Sequence, residues 1–323
     1  MGTHPSGKQK LVFKDPKDDQ IPQQLLPCGK CTSCRLDHST DWATRISHEM
    51  QTSRIGCFIT LTISPEHMHP SGSIYKRSLQ LFFKRLRKEI ALDVPNPRTN
   101  RTRKVYQSFR YLACGEYGDK RGRPHYHAAI MGYTFPDQQF WRTTTTGFDC
   151  YRSPTLEKVW PFGHSEIGEL TYASAAYIAR YTLKKSKNPS DYQKPSGYDP
   201  ETGEITFSTL NPEFLTMSKG IGSDWWNKYK NDTDKDHVIV DYDKTHRIPR
   251  YYDKLREKTD PSSLKEIKAN RERHALEYQA SDTYERKLAR AQVKEAQNKM
   301  LKRNFENAKT TLRPLRQTDK RLP

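Results

Sequence analysis

Apolar positions in the first half of the chain recur with two periods. Leu36, Ala43, Ile46 and Met50 fall at offsets of seven, ten and fourteen, one side of a helix that Trp42 widens and that ends near Gly56. Cys57 to Ile63 then alternates apolar and polar residues and is rich in β-formers, which predicts a strand stopped by Pro65. Leu79, Phe82, Phe83, Leu86 and Ile90 return to helical spacing, with Lys84, Arg85, Arg87 and Lys88 covering the other side. Such a basic side is either a solvated face or a DNA contact. Asn96 to Lys104 has no apolar residue and reads as a flexible basic loop. Phe109 to Tyr117 and His125 to Met131 are predicted strands, joined as a hairpin by the turn-rich Gly118 to Arg123. After a Thr-rich segment, with Thr143 to Thr146 as a polar loop, Gly163 to Leu170 is a further strand and Tyr172 to Lys185 a helix.

The same pattern divides the chain. Residues 1–27, broken by Pro16, Pro22 and Pro27, form an extended arm; 28–185 hold the core; 186–205, rich in Pro and Gly, are a linker. Residues 206–260 carry Trp225, Trp226 and Pro249 to Tyr252, aromatic anchors for an extension that packs on the core. Residues 261–323 are a basic helical tail, since 262–309 contain no Pro or Gly and are dominated by Lys, Arg, Glu, Gln and Ala.

With 56 basic against 38 acidic residues, a formal charge of +18, the partner expected is a polyanion, nucleic acid before membrane. No run approaches the roughly 18 apolar residues of a membrane span, and the first ten residues lack the apolar centre of a signal peptide, so a cytosolic protein is expected. The six cysteines do not resemble a disulfide scaffold. Cys28, Cys31 and Cys34, with His38 four residues on, could instead supply four ligands to zinc or another metal, form a redox pair or remain reduced thiols; Cys57, Cys114 and Cys150 are expected to be small buried hydrophobes.

Two spacings carry chemistry. A strand puts alternate side chains on one face, so His125 and His127 can present two imidazoles to one ion while Tyr126 points away. With the six-residue turn centred, Glu116 lies opposite His125 on that same face and could be a third ligand. Two nitrogens and a carboxylate tolerate Mg²⁺, Mn²⁺ or Zn²⁺, and phosphoryl transfer favours the first two. Paired histidines also arise by chance, each ring satisfied by ordinary hydrogen bonds. Tyr177 and Tyr181 stand one helical turn apart, and Lys184 and Lys185 continue the row. An aromatic pair at that spacing is often core packing. Beside a metal-held phosphate, the two phenols would be nucleophiles, with a lysine favouring the phenolate. His164, His237, His246 and His274 have no ligand-spaced neighbours and receive no catalytic task.

The strand FITLTIS, the hairpin GEYGDKRGRPHYHAAIMG and the helix AAYIARYTLKK resemble the three motifs of HUH-superfamily rolling-circle replication initiators, and among these the gokushovirus-type initiators of the Microviridae. PCGKCTSCRLDHSTDWATRISHE, WWNKYKND and IPRYYDK are similar to that family too. The resemblance implies an α+β fold, a central antiparallel sheet of about five strands with flanking helices. It implies His125, His127 and Glu116 as metal ligands, and Tyr177 and Tyr181 as nucleophiles that nick a viral origin, form a 5′-phosphotyrosyl intermediate and religate. Single-stranded or cruciform origin DNA would be the substrate, in the host cytoplasm. Host helicase and polymerase would be needed, since the chain has no Gly-x-x-x-x-Gly-Lys-Ser/Thr phosphate loop. Charge alone suits a nonenzymatic single-stranded DNA-binding or packaging protein equally well, and a relaxase or transposase would share the chemistry.

Overall fold

In the strand Gly56–Thr62 (β1) every second residue is buried, Cys57, Ile59 and Leu61 on one face, while Phe58 and Thr60 turn to the other. That alternation fixes a sheet with two covered faces. A computed structural model describes residues 2–3, 9–10, 32–95, 98, 102–118, 122–145, 147–184, 193–198, 200, 202, 205–234, 237–241, 244–277, 283 and 285–296; side chains at 32, 33, 181–184, 194–198, 205, 206, 208, 239–241 and 244 lie outside that description.

Six further strands join β1: Arg110–Tyr117 (β2), Pro124–Met131 (β3), Gln139–Thr143 (β4), Asp149–Arg152 (β5), Ser165–Gly168 (β6) and Phe214–Met217 (β7). All pairings are antiparallel, in the order β7-β2-β3-β1-β6-β5-β4. The sheet therefore has seven strands rather than the expected five. The Thr-rich segment folds back as the β4–β5 hairpin at one edge, and β7 closes the other. Neither edge advertises itself, because all five residues of β4 are exposed and all four of β7 half-buried, so no alternation marks them.

One face is covered by the helix Lys76–Glu89 (α2), through Leu79, Phe82, Phe83 and Leu86, and by the short helix Pro154–Val159 (α3). Ser153 caps α3 by accepting from Leu156 N, and Asp137 accepts from both the Ser153 hydroxyl and Thr155 N. The opposite face is covered by the long helix Thr32–Ser53 (α1) and by Tyr172–Lys184 (α4), whose Ala43, Ile46, Ala175, Ile178 and Ala179 meet Leu112, Cys114, Ala129 and Met131 of the sheet. The basic side of α2 thus lies on the sheet face away from α4. Arg85 there donates to the Val159 carbonyl at 2.8 Å and Arg87 lies over Phe109, while Lys84 and Lys88 stay exposed.

A third apolar cluster joins Trp225 and Trp226 on the helix Ser223–Tyr229 (α5) to Tyr252 on Arg250–Thr259 (α6), with Val238 and Ile248. Both tryptophans pack as expected, each 4% exposed. This cluster grips α1: the His48 ring stacks on Trp225 at 3.6 Å and its Nδ1 lies 2.8 Å from the Tyr252 hydroxyl. Next to it, the buried Glu49 carboxylate accepts from Arg110 at 2.6 Å and from Gly222 N at 2.7 Å.

Three expectations need correcting. Within the supposed basic loop, Thr102–Val105 is a strand paired with Leu92–Pro95, the apolar pair Leu92 and Val105 closing its base. Cys150 is half-exposed, unlike the buried Cys57 and Cys114. Part of the expected linker, Gln193–Tyr198, is a strand paired with Ile205–Thr209. In the tail the described helical residues are Pro261–Glu277 (α7), anchored by Leu264 and Ile267, and 285–296, where Lys294 meets Asp37 at 3.0 Å. In the expected extended arm, Gly2–Thr3 pairs antiparallel with Gln9–Lys10, and apart from Thr283 the remaining residues of arm and tail lie outside the described residues. No described helix is long and apolar enough to cross a membrane.

Candidate functional site

The hairpin β2–β3 has the register expected from a centred turn: Glu116 pairs with His125, and Cys114 with His127. Glu116 and His127 therefore rise from the face that α1 and α4 cover, whereas Tyr126 enters the opposite core, fully buried, its hydroxyl accepting from Tyr75 N at 3.0 Å. Glu116 and His127 are each 6% exposed. His127 Nε2 lies 3.1 Å from Glu116 Oε1, and its Nδ1 lies 3.0 Å from the hydroxyl of Thr60, its register partner on β1. The imidazole is thus held at both nitrogens, one against a carboxylate and one against a hydroxyl, which fixes the plane of the ring.

His125 is half-buried. Its Nδ1 lies 2.8 Å from the Arg123 carbonyl, and its ring lies over Gly118, where an added Cβ would come within 2.9 Å of His125 Cε1. The turn that sets this up is closed by Gly118 N to the Arg123 carbonyl and by Gly122 N to the Gly118 carbonyl, Gly122 taking a positive φ of 59°. As the rings stand, no three His, Cys, Asp or Glu side chains among the described residues form a ready cage for an ion. The donor set itself fits a divalent cation: a buried carboxylate and imidazole already side by side, with a second imidazole rooted on the same face opposite the carboxylate.

Over this pair lies α4. The Tyr177 ring meets the His127 ring edge-on, centroids 5.4 Å apart at 87°, and Phe58 of β1 completes a three-ring cluster at 5.7 Å from His127 and 6.0 Å from Tyr177. The structure therefore brings together Glu116, His127 and Tyr177 from β2, β3 and α4. Tyr181 and Lys184 belong to the same helix, but their side chains, and all of Lys185, lie outside the described residues. So do Cys28 and Cys31; Cys34 is half-buried in α1, and exposed His38 faces Trp42 edge-on at 6.3 Å.

Thr60 and Phe58 were not singled out from the sequence. The alternation of β1 puts both on the site face, yet which strand lies beside β3 is a long-range choice that no local pattern encodes. Burial pushes the Cys57 thiol up to about 12, so it stays protonated and inert on the far face.

Residues 56–186 match the family described as replication-associated protein ORF2/G2P. The chain is 34% identical to the replication-associated protein ORF2 of Spiroplasma virus 4 over 272 residues, 81% of this chain and 77% of that one. It is 30% identical to the replication-associated protein VP4 of Bdellovibrio phage phiMH2K over 264 residues, 80% and 76% of the two chains. The replication-associated protein ORF4 of Chlamydia phage 1 is 27% identical over 238 residues, 71% of this chain and 53% of its own. No solved structure matches. The matched segment runs from β1 through α4 and so contains every strand and helix that meets at the Glu116, His127 and Tyr177 cluster. The chain belongs to the family of replication-associated proteins of these Microviridae phages.

Proposed function

We propose that this replication protein is a site-specific tyrosine endonuclease and strand transferase that nicks the phage origin, holds the 5′ end as a phosphotyrosyl ester and rejoins the strand, initiating and terminating rolling-circle replication. The observation that carries the reading is the edge-on contact of Tyr177 with an imidazole that is itself bonded to a buried carboxylate. A phenol in that position is otherwise an ordinary aromatic; beside a histidine and a glutamate on one sheet face it is a nucleophile next to a cation site.

In this reading Glu116, His127 and His125 hold Mg²⁺ or Mn²⁺, which when bound polarises the scissile phosphate. The Tyr177 oxygen attacks phosphorus, the bond to the 3′ oxygen breaks, and the free 3′ hydroxyl is left for a host polymerase to extend behind a host helicase. The ester conserves the energy of the broken phosphodiester. Tyr181 is the second nucleophile, resolving the regenerated junction, and Lys184 or Lys185 favours a phenolate. Single-stranded or cruciform origin DNA is the substrate, and the host cytoplasm the place of action. Cys28, Cys31, Cys34 and His38 are a separate candidate zinc site.

The test is incubation of the full chain with Mn²⁺ and labelled single-stranded oligonucleotides tiling the phage genome. A denaturant-resistant protein–DNA adduct, formed on one tile and lost in the Tyr177→Phe, Tyr181→Phe double variant, is expected. Binding to every tile with no adduct would leave a nonenzymatic DNA-binding protein instead.

A further inference from the structure

We propose that the β4–β5 hairpin is a stacking platform for unpaired bases, the place where the single strand leading to the cutting centre is gripped. The inference rests on the reading of Tyr177 and His127 as that centre. Three large aromatics of this one hairpin stand in solvent: Phe140 at 61%, Trp141 at 52% and Phe148 at 52% exposure. An edge strand with every residue exposed buries none of its side chains, so the aromatics that share the site face mark a binding surface, and Trp141 is the one the hairpin presents there.

The hairpin is built to aim Trp141. The register of β4 against β5 shifts between Phe140 and Arg142, which leaves Trp141 as the extra residue of a bulge and re-aims it. Phe140 pairs with Tyr151, which packs on the α2 core, so Phe140 serves the far face. Arg152, next along β5, is on the site face, and its guanidinium carbon sits 5.0 Å from the centre of the Trp141 ring. Arg142 donates from Nε and Nη2 to the Glu166 carboxylate at 3.1 and 3.0 Å. Glu166 is the register partner of Thr60, which in turn pairs with His127. A register row of the sheet therefore runs from His127 through Thr60 to Glu166, and the Arg142 side chain, rooted opposite Cys150 two residues along, reaches over to Glu166 with Trp141 beside it. From β3 to β4 the sheet crosses four strand spacings, on the order of 19 Å, a span suited to a few unstacked nucleotides.

The chemistry points to bases. Arg142 and Arg152 are each tied to a carboxylate, Glu166 and Glu157, so they are fixed in place and locally neutralised. What the hairpin offers is the π face of Trp141, backed by a guanidinium, a surface any base can stack on and one with little preference for sequence. A second copy of this chain is the poorer occupant. Two copies at +18 repel, whereas the same charge draws a polyanion.

The experiment is fluorescence anisotropy of the full chain with an oligo(dT) of about 20 nucleotides, longer than the usual footprint of such surfaces, beside a duplex of equal length. Trp141→Ala and Trp141→Leu are expected to weaken oligo(dT) binding roughly 5- to 150-fold, Trp141→Phe to keep most of it, and Phe140→Ala to leave it unchanged. Duplex affinity should hardly move in any of them. Parent-like binding by Trp141→Leu would overturn the platform, as would self-association in sedimentation that Trp141→Ala abolishes while oligo(dT) affinity stays intact. The covalent-adduct assay reads the other claim: Trp141-dependent binding with no adduct sinks the nuclease alone, and adduct formation with Trp141-independent binding sinks the platform alone.

Discussion

Replacing Thr60 by Val removes one oxygen from the site and leaves its shape. The Thr60 hydroxyl, 3.0 Å from His127 Nδ1, can donate to or accept from that nitrogen, so it holds the ring in either tautomer while Nε2 faces Glu116 3.1 Å away. Valine occupies nearly the same volume and suits a strand, so the stability cost is that of taking one partner from a buried imidazole, about 1–3 kcal/mol. The cost to the reaction is separate. An imidazole deprived of this anchor can swing, and losing such an orienting partner typically lowers metal affinity or activity about 10- to 100-fold. Tyr177 packs on the edge of the same ring, so the swing also disturbs the proposed nucleophile. The assay is the rate of adduct formation with Mn²⁺, titrated with the metal, alongside a thermal melt. Thr60→Ser, which keeps the hydroxyl, should retain a rate within a few fold of the parent. A Thr60→Val protein that melts normally and forms adduct at the parental rate over the whole metal titration would refute the argument.

Two further predictions concern the frame around the site. Glu49→Ala removes a carboxylate 5% exposed that bonds Arg110 and Gly222 N; breaking a buried pair of this kind should cost ~3–5 kcal/mol, read as a lower urea midpoint, and a loss under ~1 kcal/mol would contradict it. Burial pushes the Asp137 carboxyl up, but the hydrogen bonds from the Ser153 hydroxyl and Thr155 N outweigh it and hold the group below its ordinary 3.8. Its contribution is therefore complete above that value and withdrawn as pH falls through the lower folded one. Melting temperature from pH 5 downwards should fall more steeply in the parent than in Asp137→Asn; parallel curves would show that the carboxylate is not linked to folding.

Much of the site face was legible because its strands alternate. The hairpin turn of Gly118 to Arg123 is short enough to set one register, and that register puts Glu116 opposite His125. The helical period of Tyr172 to Lys185 likewise predicts α4. What local pattern could not reach was pairing across long stretches of chain. Thr60 meets His127 only because β1 inserts between β3 and β6, a separation of 67 residues in the hydrogen bond concerned. Nor does composition disclose that His125 turns to the Arg123 carbonyl, since that contact depends on the conformation of the turn. The edge hairpin was hidden for the opposite reason. Its outer strand, β4, is exposed on both faces, so it carries no burial signal at all.

Helix α4 rests on the sheet through methyl groups: Ala175 and Ala179, fully buried, share one cluster with Ala43 of α1 and Ala129 of β3. Side chains this small let backbones approach closely, so the distance between a phenol on one element and an imidazole on another is gauged by four of the shortest side chains available. The reactive spacing is in this sense a property of the scaffold. A bulkier residue at any of those four positions would act as a shim, prising nucleophile from cation site while every polar group of the chemistry remained in the sequence.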